Sequence, residues 1–436
     1  MATTWYGTLY DAAANHAKFY RLDLDEATGV VTATYGRVGA VRPQTATYRG
    51  GLRAFESKRA EKERKGYRQI GLADGASAAP VAKAVVAKAA RKSLVSTKKC
   101  SPELSALIDR IAAANKHAIT TATGGRIAFD TSGRATLPGG IVVTSAHVEH
   151  ARDVLTQMQA AGERPGPTHT RMVERYFMLI PHAVGMGSGW ADRVLVSDAD
   201  FQREADLLDA LASTTTTTDA PEDLEIAFRY TVRMATAKQS AAVKAEYERS
   251  ANPGHPVAAL QVKRVFVVTD DAEHTAAFDA KAEQVGNVKA RWHGTATHNV
   301  LNILRTGLVI PGAGKVGGLD FHGALLGPGI YSSSMSTKAA GYGYGTWGGV
   351  RDTDCYVFLA DVACGWEYRM NTGDRTAWQP SRRPDPSAIC KRTGENRRFD
   401  SIEVYAGGTL GARNPETVVW DTAQVRLRYL VQLGAR

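Results

Sequence analysis

The chain has 436 residues, of which 44% are hydrophobic and 22% are charged. This composition is typical of folded proteins and excludes wholesale disorder, and the length suggests roughly three domains. No apolar run approaches the roughly 18 residues of a membrane helix, and residues 1–10 lack the basic and apolar regions of a secretory leader. We therefore expect an intracellular protein with no membrane partner.

The charge balance favours a polyanionic partner. Lys and Arg number 54 against 44 Asp and Glu, a net charge of +10, and such an excess is common in proteins that bind nucleic acid. The 4 cysteines are not paired at two-residue spacing, and no histidine cluster accompanies them. The sequence therefore predicts neither a zinc site nor a disulfide scaffold, and we expect no metal.

Two segments divide the chain. Residues 77–101 carry several lysines and arginines but no acidic residue, which predicts either a basic linker that contacts phosphates or a solvated spacer. The run Thr214–Thr218, followed by Asp219-Ala220-Pro221, predicts a loop or hinge. The predicted domains are 1–75, 101–218 and 219–436, with a linker at 76–100.

The first domain is predicted to contain strands and one helix. Lys18–Leu24 and Val30–Tyr35 alternate like paired strands, with a turn at Ala27-Thr28-Gly29. Leu52–Tyr67 carries many charges and few apolar residues, which predicts a surface helix that ends at Gly66.

The second domain is predicted to be all-helical. Ser101 followed by Pro102 is a helix start. A second helix is expected from Ser145 to Gly162, and apolar residues spaced by three or four from Phe201 indicate a third.

The third domain is predicted to be rich in strands. Val265–Thr269 and Tyr356–Val362 are short apolar runs, and apolar residues alternate with polar ones from Val425 to Leu433. One helix is expected near Val300, closing at Gly307. The fold class is therefore α+β, with several domains.

Three places in the third domain combine reactive side chains with glycine or a strand. They are Arg291–Thr295, the segment from Gly327 to Ser332 that continues to Lys338 and Tyr342, and Glu416 before Val418. Glycine exposes backbone to a ligand, tyrosines can sandwich a flat ring, and a strand holds a carboxylate rigidly. Taken singly, each has an ordinary structural explanation, because most histidines at strand ends are satisfied core residues.

Together, these places resemble a known signature. Trp292-His293-Gly294-Thr295, Gly329-Ile330-Tyr331 and Glu416 resemble the His-Tyr-Glu signature of the poly(ADP-ribose) polymerase family. Tyr35-Gly36-Arg37-Val38-Gly39 resembles the core of a WGR domain. Residues 175–182 resemble a stretch of the family's helical regulatory domain, and residues 420–430 its closing strands. The resemblance implies a small α/β WGR domain, an all-α regulatory domain and a catalytic domain of mixed β-sandwich type.

The resemblance implies cleavage of NAD+, as a substrate, at the nicotinamide–ribose bond and transfer of ADP-ribose to acceptor proteins, the chain itself included. It implies catalytic roles for His293, Tyr331 and Glu416. Glu416 would bond the ribose, stabilise positive charge and polarise the acceptor. The residues implied in NAD+ binding are His293, Gly294, Thr295, Asn299, Tyr331, Lys338 and Tyr342.

Some positions leave alternatives open. Glu403, in Ile402-Glu403-Val404, is a rival to Glu416 on spacing alone, and the gapless match after Glu416 favours Glu416. Ala339, Val309 and Pro415 depart from the family pattern and predict weaker NAD+ binding.

The WGR resemblance implies that DNA strand breaks with 5′-phosphorylated ends activate the enzyme. The candidate contacts are Tyr35, Gly36 and Arg37, together with Lys58, Arg59 and Lys62 on the charged surface helix predicted at Leu52–Tyr67. Arg37 could instead couple the WGR domain to the helical domain. The leading hypothesis is a break-activated enzyme of the DNA damage response that builds poly(ADP-ribose) and is monomeric off DNA. It would be nuclear in a eukaryote and lie in the cytoplasm or nucleoid of a bacterium. The alternatives are a DNA-end scaffold with degenerate catalysis and a DNA-independent mono-ADP-ribosyltransferase.

Overall fold

The described part of the chain falls into two compact units. The computed structural model describes residues 2–40, 42–69, 93–95, 100–130, 134–162, 164–184, 187–214, 228–310, 329–346, 352, 354–370, 389–392, 395–405 and 414–435. Described residues of 1–89 and 112–226 form the first unit, and those of 90–111 and 227–436 form the second. Within these ranges, no helix has the length and apolarity needed to cross a membrane.

The first unit begins with a five-stranded sheet in the order β4-β3-β2-β1-β5. Its strands and the following helix are β1 (Ala2–Asp11), β2 (His16–Asp25), β3 (Val30–Arg37), β4 (Gln44–Arg49), α1 (Gly51–Arg64) and β5 (Arg68–Gln69). Trp5, Leu22 and Val31 on the sheet pack with Phe55, the buried residue of α1. The predicted strand pair and surface helix are confirmed.

Four helices follow, namely α2 (Pro102–Ala122), α3 (Ser145–Ala161), α4 (Pro167–Leu179) and α5 (Asp198–Ala212). Three of them were predicted, and α4 was not. Ser101 Oγ accepts a hydrogen bond from the Leu104 amide at 3.2 Å, which satisfies one of the free N–H groups of the first turn. Gly162 ends α3 with a φ of 71°, a conformation that favours glycine.

The expectation of an all-helical second domain is wrong in one respect. Three short antiparallel strands lie between α2 and α3, namely β6 (Ala128–Phe129), β7 (Ala135–Leu137) and β8 (Ile141–Val142). The connection from β7 to β8 is Pro138-Gly139-Gly140, and its two glycines have φ values of 87° and 79°. The Gly140 amide donates to the Leu137 carbonyl at 3.0 Å, which closes a tight three-residue hairpin loop in which glycine supplies the positive φ values.

The amino-terminal sheet and the helices of the first unit share a core. Tyr10 of β1 makes edge contacts with Phe177 of α4 and with Trp190, at centroid distances of 6.1 and 6.2 Å. The Ala12 amide donates to Glu174 of α4 at 2.6 Å, and the Gly189 amide donates to the Ala12 carbonyl at 3.0 Å. The first unit is therefore one packed body.

The second unit contains two main sheets. Their orders are β11-β13-β19-β10-β9, which is antiparallel, and β12-β18-β17-β14, whose β14–β17 pair is parallel. The strands are β9 (Thr231–Met234), β10 (Gln261–Thr269), β11 (Val288–Gly294), β12 (Ile330–Ser332), β13 (Tyr356–Ala363), β14 (Glu367–Met370), β15 (Ile389–Arg392), β16 (Glu395–Arg398), β17 (Ser401–Val404), β18 (Glu416–Val419) and β19 (Val425–Gly434). The helices are α6 (Ala237–Arg249), α7 (Ala272–Val285), α8 (Val300–Thr306) and α9 (Ser336–Tyr344). The predicted strands at 265–269, 356–362 and 425–433 and the predicted helix near Val300 are confirmed. The expectation of a single helix is wrong, because α6, α7 and α9 are also present.

Two residues of the predicted linker and hinge are more ordered than expected. Leu94 of the linker is fully buried, and Val95 forms a parallel bridge with Val232 of β9. Thr214, the first residue of the threonine run, is buried and donates to the Leu211 carbonyl at 2.8 Å. Residues 70–92, 96–99 and 215–227, which hold the rest of the linker and hinge, lie outside the described residues.

Candidate active site

The carboxyl end of β11 places a histidine against the neighbouring strand. His293 Nδ1 lies 2.8 Å from the Tyr331 carbonyl oxygen of β12, and because a carbonyl only accepts, the bond requires a proton on Nδ1. Burial lowers the pKa of His293, which favours the neutral ring. A neutral ring protonated at Nδ1 leaves Nε2 as an acceptor for a ligand hydroxyl.

Backbone and side-chain hydrogen bonds connect β11, β12 and β18 beside His293. Trp292 and Ser333 exchange two backbone hydrogen bonds of 2.8 Å, and Ser333 Oγ donates to the Pro415 carbonyl at 2.6 Å. Pro415 directly precedes β18, so the start of that strand is held beside β12. The catalytic candidates on these strands are thereby brought to one place.

Glu416 is the first residue of β18 and is nearly buried, with 8% exposure. Its Oε1 contacts Nζ of Lys338, which is also nearly buried. Its Oε2 is buried with no hydrogen-bond partner among the described residues. A buried carboxylate oxygen without a partner is costly, and a ligand hydroxyl would satisfy it.

Helix α9 packs closely on the end of β11 and carries Lys338 and Tyr342 one turn apart. A Cβ at position 294 would collide with the Ala339 carbonyl oxygen of α9, so glycine is required there. The ring of Tyr342 is 39% exposed and is available to stack on a ligand.

Three further candidates lie near these groups in the chain. Tyr331 is half-buried and packs against Val418 and Ile402. Thr295 is buried directly after Gly294. Asn299 precedes α8, and its amide oxygen is buried with no partner among the described residues. Gly327 and Pro328, the first two residues of the predicted site segment that contains Tyr331, lie outside the described residues.

A buried polar cluster lies beside the candidate catalytic residues, and the sequence did not predict it. Arg291 Nε donates to Thr417 Oγ1 at 2.8 Å, and Thr417 Oγ1 donates to Glu403 Oε2 at 2.5 Å. Glu403, the rival to Glu416, is therefore already bonded by Arg291 and Thr417. One signal was available in advance, since Arg291 lies two residues before His293 on the same face of a strand.

The DNA-binding candidates lie in the first unit. Tyr35 stacks on Tyr20 at a centroid distance of 5.1 Å, and Lys62 lies 4.2 Å above the Tyr20 ring. Other cations of α1 are paired within the helix, Lys58 with Glu61 at 2.9 Å and Arg59 with Glu56 at 2.8 Å. Gly36 and the exposed Arg37 end β3, and Arg37 Nη2 donates to Asn15 Oδ1 at 3.4 Å.

One group of possible metal ligands, Asp270, Asp271 and His274, has an ordinary structural role. Asp270 receives two bonds of 2.7 and 2.6 Å from Arg229. Asp271 caps α7 by accepting from the His274 amide at 2.8 Å. These bonds account for the carboxylates without an ion.

Comparison with known protein families matches both ends of the chain. The profile of the WGR domain matches residues 4–73, and that of the "Poly(ADP-ribose) polymerase catalytic domain" matches residues 238–435, which contain every residue of the site above. The chain therefore carries a WGR domain and a poly(ADP-ribose) polymerase catalytic domain. The resemblance identified from the sequence is confirmed in these two domains.

Individual members of the poly(ADP-ribose) polymerase family match at low identity. Human "Protein mono-ADP-ribosyltransferase PARP3" is 27% identical over 34% of this chain and 30% of its own length. "Poly [ADP-ribose] polymerase 1" of Gallus gallus is 24% identical over 67% of this chain and 30% of its own length. The Xenopus laevis protein of the same name is 28% identical over 40% of this chain and 18% of its own length. The chain spans less than a third of each relative's length.

Proposed function

We propose that the chain is an NAD+-dependent ADP-ribosyltransferase that DNA breaks activate and that modifies itself and other proteins. The observation that carries the proposal is the nearly buried Glu416, whose Oε1 is held by Lys338 while Oε2 has no partner among the described residues. A carboxylate fixed in this way is suited to bond a ribose hydroxyl and to stabilise positive charge as it develops on the sugar.

The other residues of the site supply binding and orientation. NAD+, when bound, would supply the ADP-ribosyl group and a nicotinamide that leaves with the electron pair of the broken bond. His293 Nε2 is placed to accept from a ribose hydroxyl, and the exposed ring of Tyr342 to stack on the nicotinamide. Gly294, with Ala339 against it, leaves backbone accessible where a side chain would not fit. Because the leaving group is neutral, positioning and electrostatics carry most of the catalysis.

The contacts of Glu403 and Glu416 decide which glutamate we propose as catalytic, and the role of that glutamate decides which product we propose. Glu403 accepts from Thr417 and faces Arg291 at 3.4 Å, so its carboxylate is occupied, and we assign the catalytic role to Glu416. A glutamate that also polarises an acceptor hydroxyl supports chain elongation, so we propose poly(ADP-ribose) as the product. The relatives include proteins named for each outcome.

Activation by DNA rests on the WGR domain. The exposed Arg37 at the end of β3 and the cations on α1 are the proposed contacts to a 5′-phosphorylated end. Since Lys58 and Arg59 already pair with glutamates of α1, we expect Arg37 to contribute more to DNA binding than either of them.

The test incubates purified protein with labelled NAD+, with and without a 5′-phosphorylated DNA break, and separates the products on a gel. Glu416→Gln keeps the size of the side chain and removes its charge, so we expect the rate to fall by at least about 100-fold. Glu248→Gln, exposed on α6, is the matched control and should leave the rate unchanged.

Each product pattern has a distinct meaning. A ladder that requires DNA and is lost in Glu416→Gln supports a break-activated polymerase. A single labelled band that forms with or without DNA supports the mono-ADP-ribosyltransferase instead. If no label is incorporated while the protein still binds DNA, the enzyme hypothesis is overturned in favour of a DNA-end scaffold.

A further inference from the structure

A buried ionic cluster links the strands that carry the candidate catalytic residues. Arg291 of β11, Glu403 of β17 and Thr417 of β18 have exposures of 9%, 3% and 0%. Besides the bonds of Thr417 described above, Arg291 Nη2 lies 3.4 Å from both oxygens of Glu403, and Nη1 donates to the Ala290 carbonyl at 3.1 Å. These bonds occupy the charged groups of the cluster, so it does not face a ligand.

The cluster crosses from one sheet to the other. β11 is an edge strand of the five-stranded sheet, whereas β17 and β18 are neighbours in the four-stranded sheet. Glu403 and Thr417 are register partners in that second sheet, so Arg291 reaches both from the first. The guanidinium therefore fixes the distance between the two sheets at this level.

Residues of the cluster lie next to His293 and Glu416 in the sequence. Arg291 and His293 are two residues apart on β11 and share a face, while Thr417 follows Glu416 directly on β18. Because side chains alternate along a strand, a Thr417 held on one face turns Glu416 to the other, where it meets Lys338.

We propose that Arg291, Glu403 and Thr417 are positioning residues that hold Glu416 in register with His293 for catalysis. This proposal rests on the transferase activity proposed above. A buried ion pair contributes little net stability compared with a well-packed apolar set, whereas directional bonds from a planar guanidinium specify geometry. An error of about 1 Å in the placement of a catalytic group lowers the rate by about 100-fold, so the expected consequence of the cluster is on the rate.

The decisive variant is Thr417→Val, which preserves shape and removes the shared hydroxyl. We expect kcat to fall by about 10- to 100-fold, with the KM for NAD+ changed by less than about threefold because the binding residues are untouched. Thr417→Ser restores the hydroxyl and should recover most of kcat. The matched control is Ser401→Ala on β17, which deletes a buried hydroxyl bonded to the Cys364 carbonyl at 2.6 Å and should leave kcat unchanged.

A second readout does not depend on turnover. Hydrogen exchange of the β18 amides, residues 416–419, should be faster in Thr417→Val than in the wild type, while β13 stays protected. If Thr417→Val does not fold, Glu403→Gln replaces it, since that change keeps the volume and removes one charge of the pair.

The outcomes separate this proposal from the proposed function. Wild-type turnover with a selective loss of kcat in Thr417→Val, rescued by serine, supports the positioning role. Turnover within twofold of wild type, or equal losses in Thr417→Val and Ser401→Ala, overturns that role and leaves the transferase standing. A wild-type protein that neither transfers nor hydrolyses NAD+ overturns the proposed function, and the positioning role falls with it.

Discussion

Gly294 shows how tightly a single position is constrained at the candidate site. A Cβ there would collide with the Ala339 carbonyl oxygen, which belongs to the backbone of α9 and cannot rotate away. We predict that Gly294→Ala separates β11 from α9, lowers stability by about 1–3 kcal/mol and abolishes most NAD+ turnover. Thermal unfolding and a turnover assay measure the two effects.

The control for this change is Gly187→Ala, because no heavy atom lies within 4 Å of a Cβ at that exposed position. It should leave both stability and turnover unchanged. If Gly294→Ala behaves like Gly187→Ala, the close contact between β11 and α9 is incorrect.

Lys338 gives the site a dependence on pH. Burial lowers the pKa of Lys338 from 10.5 to about 8, so its positive charge, which balances Glu416, is present below about pH 8 and is lost as the pH rises. We predict that the transfer rate falls as the pH increases through about 8. In Lys338→Arg this inflection should disappear, because arginine remains charged over that range.

A pH–rate profile of the wild type and of Lys338→Arg makes this comparison. Lys289→Arg is the matched control, since Lys289 also pairs with a glutamate, Glu367, in the same unit. The control should retain the inflection. A wild-type rate that is flat or rises between pH 7 and 9 contradicts the assigned role of the Lys338 charge.

At the scale of elements, the hairpin of β7 and β8 was missed although its turn residues are in the sequence. Strands of two and three residues are too short to show a period of two, so the Gly-Gly turn was the available signal. The turn is held in place from outside, because Arg21 Nη1 of β2 donates to the Gly139 carbonyl at 2.7 Å. Tertiary contact thus stabilises an element that local propensity leaves marginal.

This hairpin makes a prediction of its own. Gly140 has a φ of 79°, so Gly140→Ala should destabilise the first unit by about 1–2 kcal/mol. Chemical denaturation monitored by tryptophan fluorescence measures the change. Gly162→Ala, also at a positive φ but with open space around it, should cost a similar amount, and a neutral result at both positions contradicts the assigned backbone conformations.

The longer elements could be predicted because their patterns repeat often enough. In β2 and β3, buried residues alternate with less buried ones over much of each strand, because one face lies against the core. In β19 the residue types alternate from Val425, although residues 430–434 are all buried. The ends of α2 and α3 were predicted from Ser101 and Gly162, whose capping roles are local. Leu94 and Thr214 are buried although they lie in segments predicted as a linker and a hinge, because nothing near them in the chain indicates what buries them.

At the scale of the molecule, the WGR sheet and the helices of the first unit behave as one body. Phe177 is stacked on Trp190 at a centroid distance of 5.3 Å and meets Tyr10 of the sheet. We predict that Phe177→Ala costs about 3–5 kcal/mol and loosens both β1 and α4. Hydrogen exchange should increase in peptides from both elements.

Phe278→Ala is the matched control, since Phe278 is equally buried but belongs to the second unit, beneath Arg426. Its effect on exchange should not extend to β1 and α4. If β1 keeps its protection in Phe177→Ala while α4 loses it, the sheet and the helices do not share a cooperative core.

Local chemistry was sufficient to predict the longer strands, such as β2, β3 and β19, and the helix boundaries at Ser101 and Gly162, because each depends on neighbours within a few positions. The residues of the site were predicted from the family resemblance. The match after Glu416 already favoured it over Glu403 in the sequence, and the structure adds a different kind of support for this proposed choice. Both lie in short apolar strands, and what separates them is contact with residues far away in the chain, Lys338 for one and Arg291 for the other. Only tertiary structure brings such partners together, because the pairing of strands from different sheets leaves no mark in the local pattern of either strand.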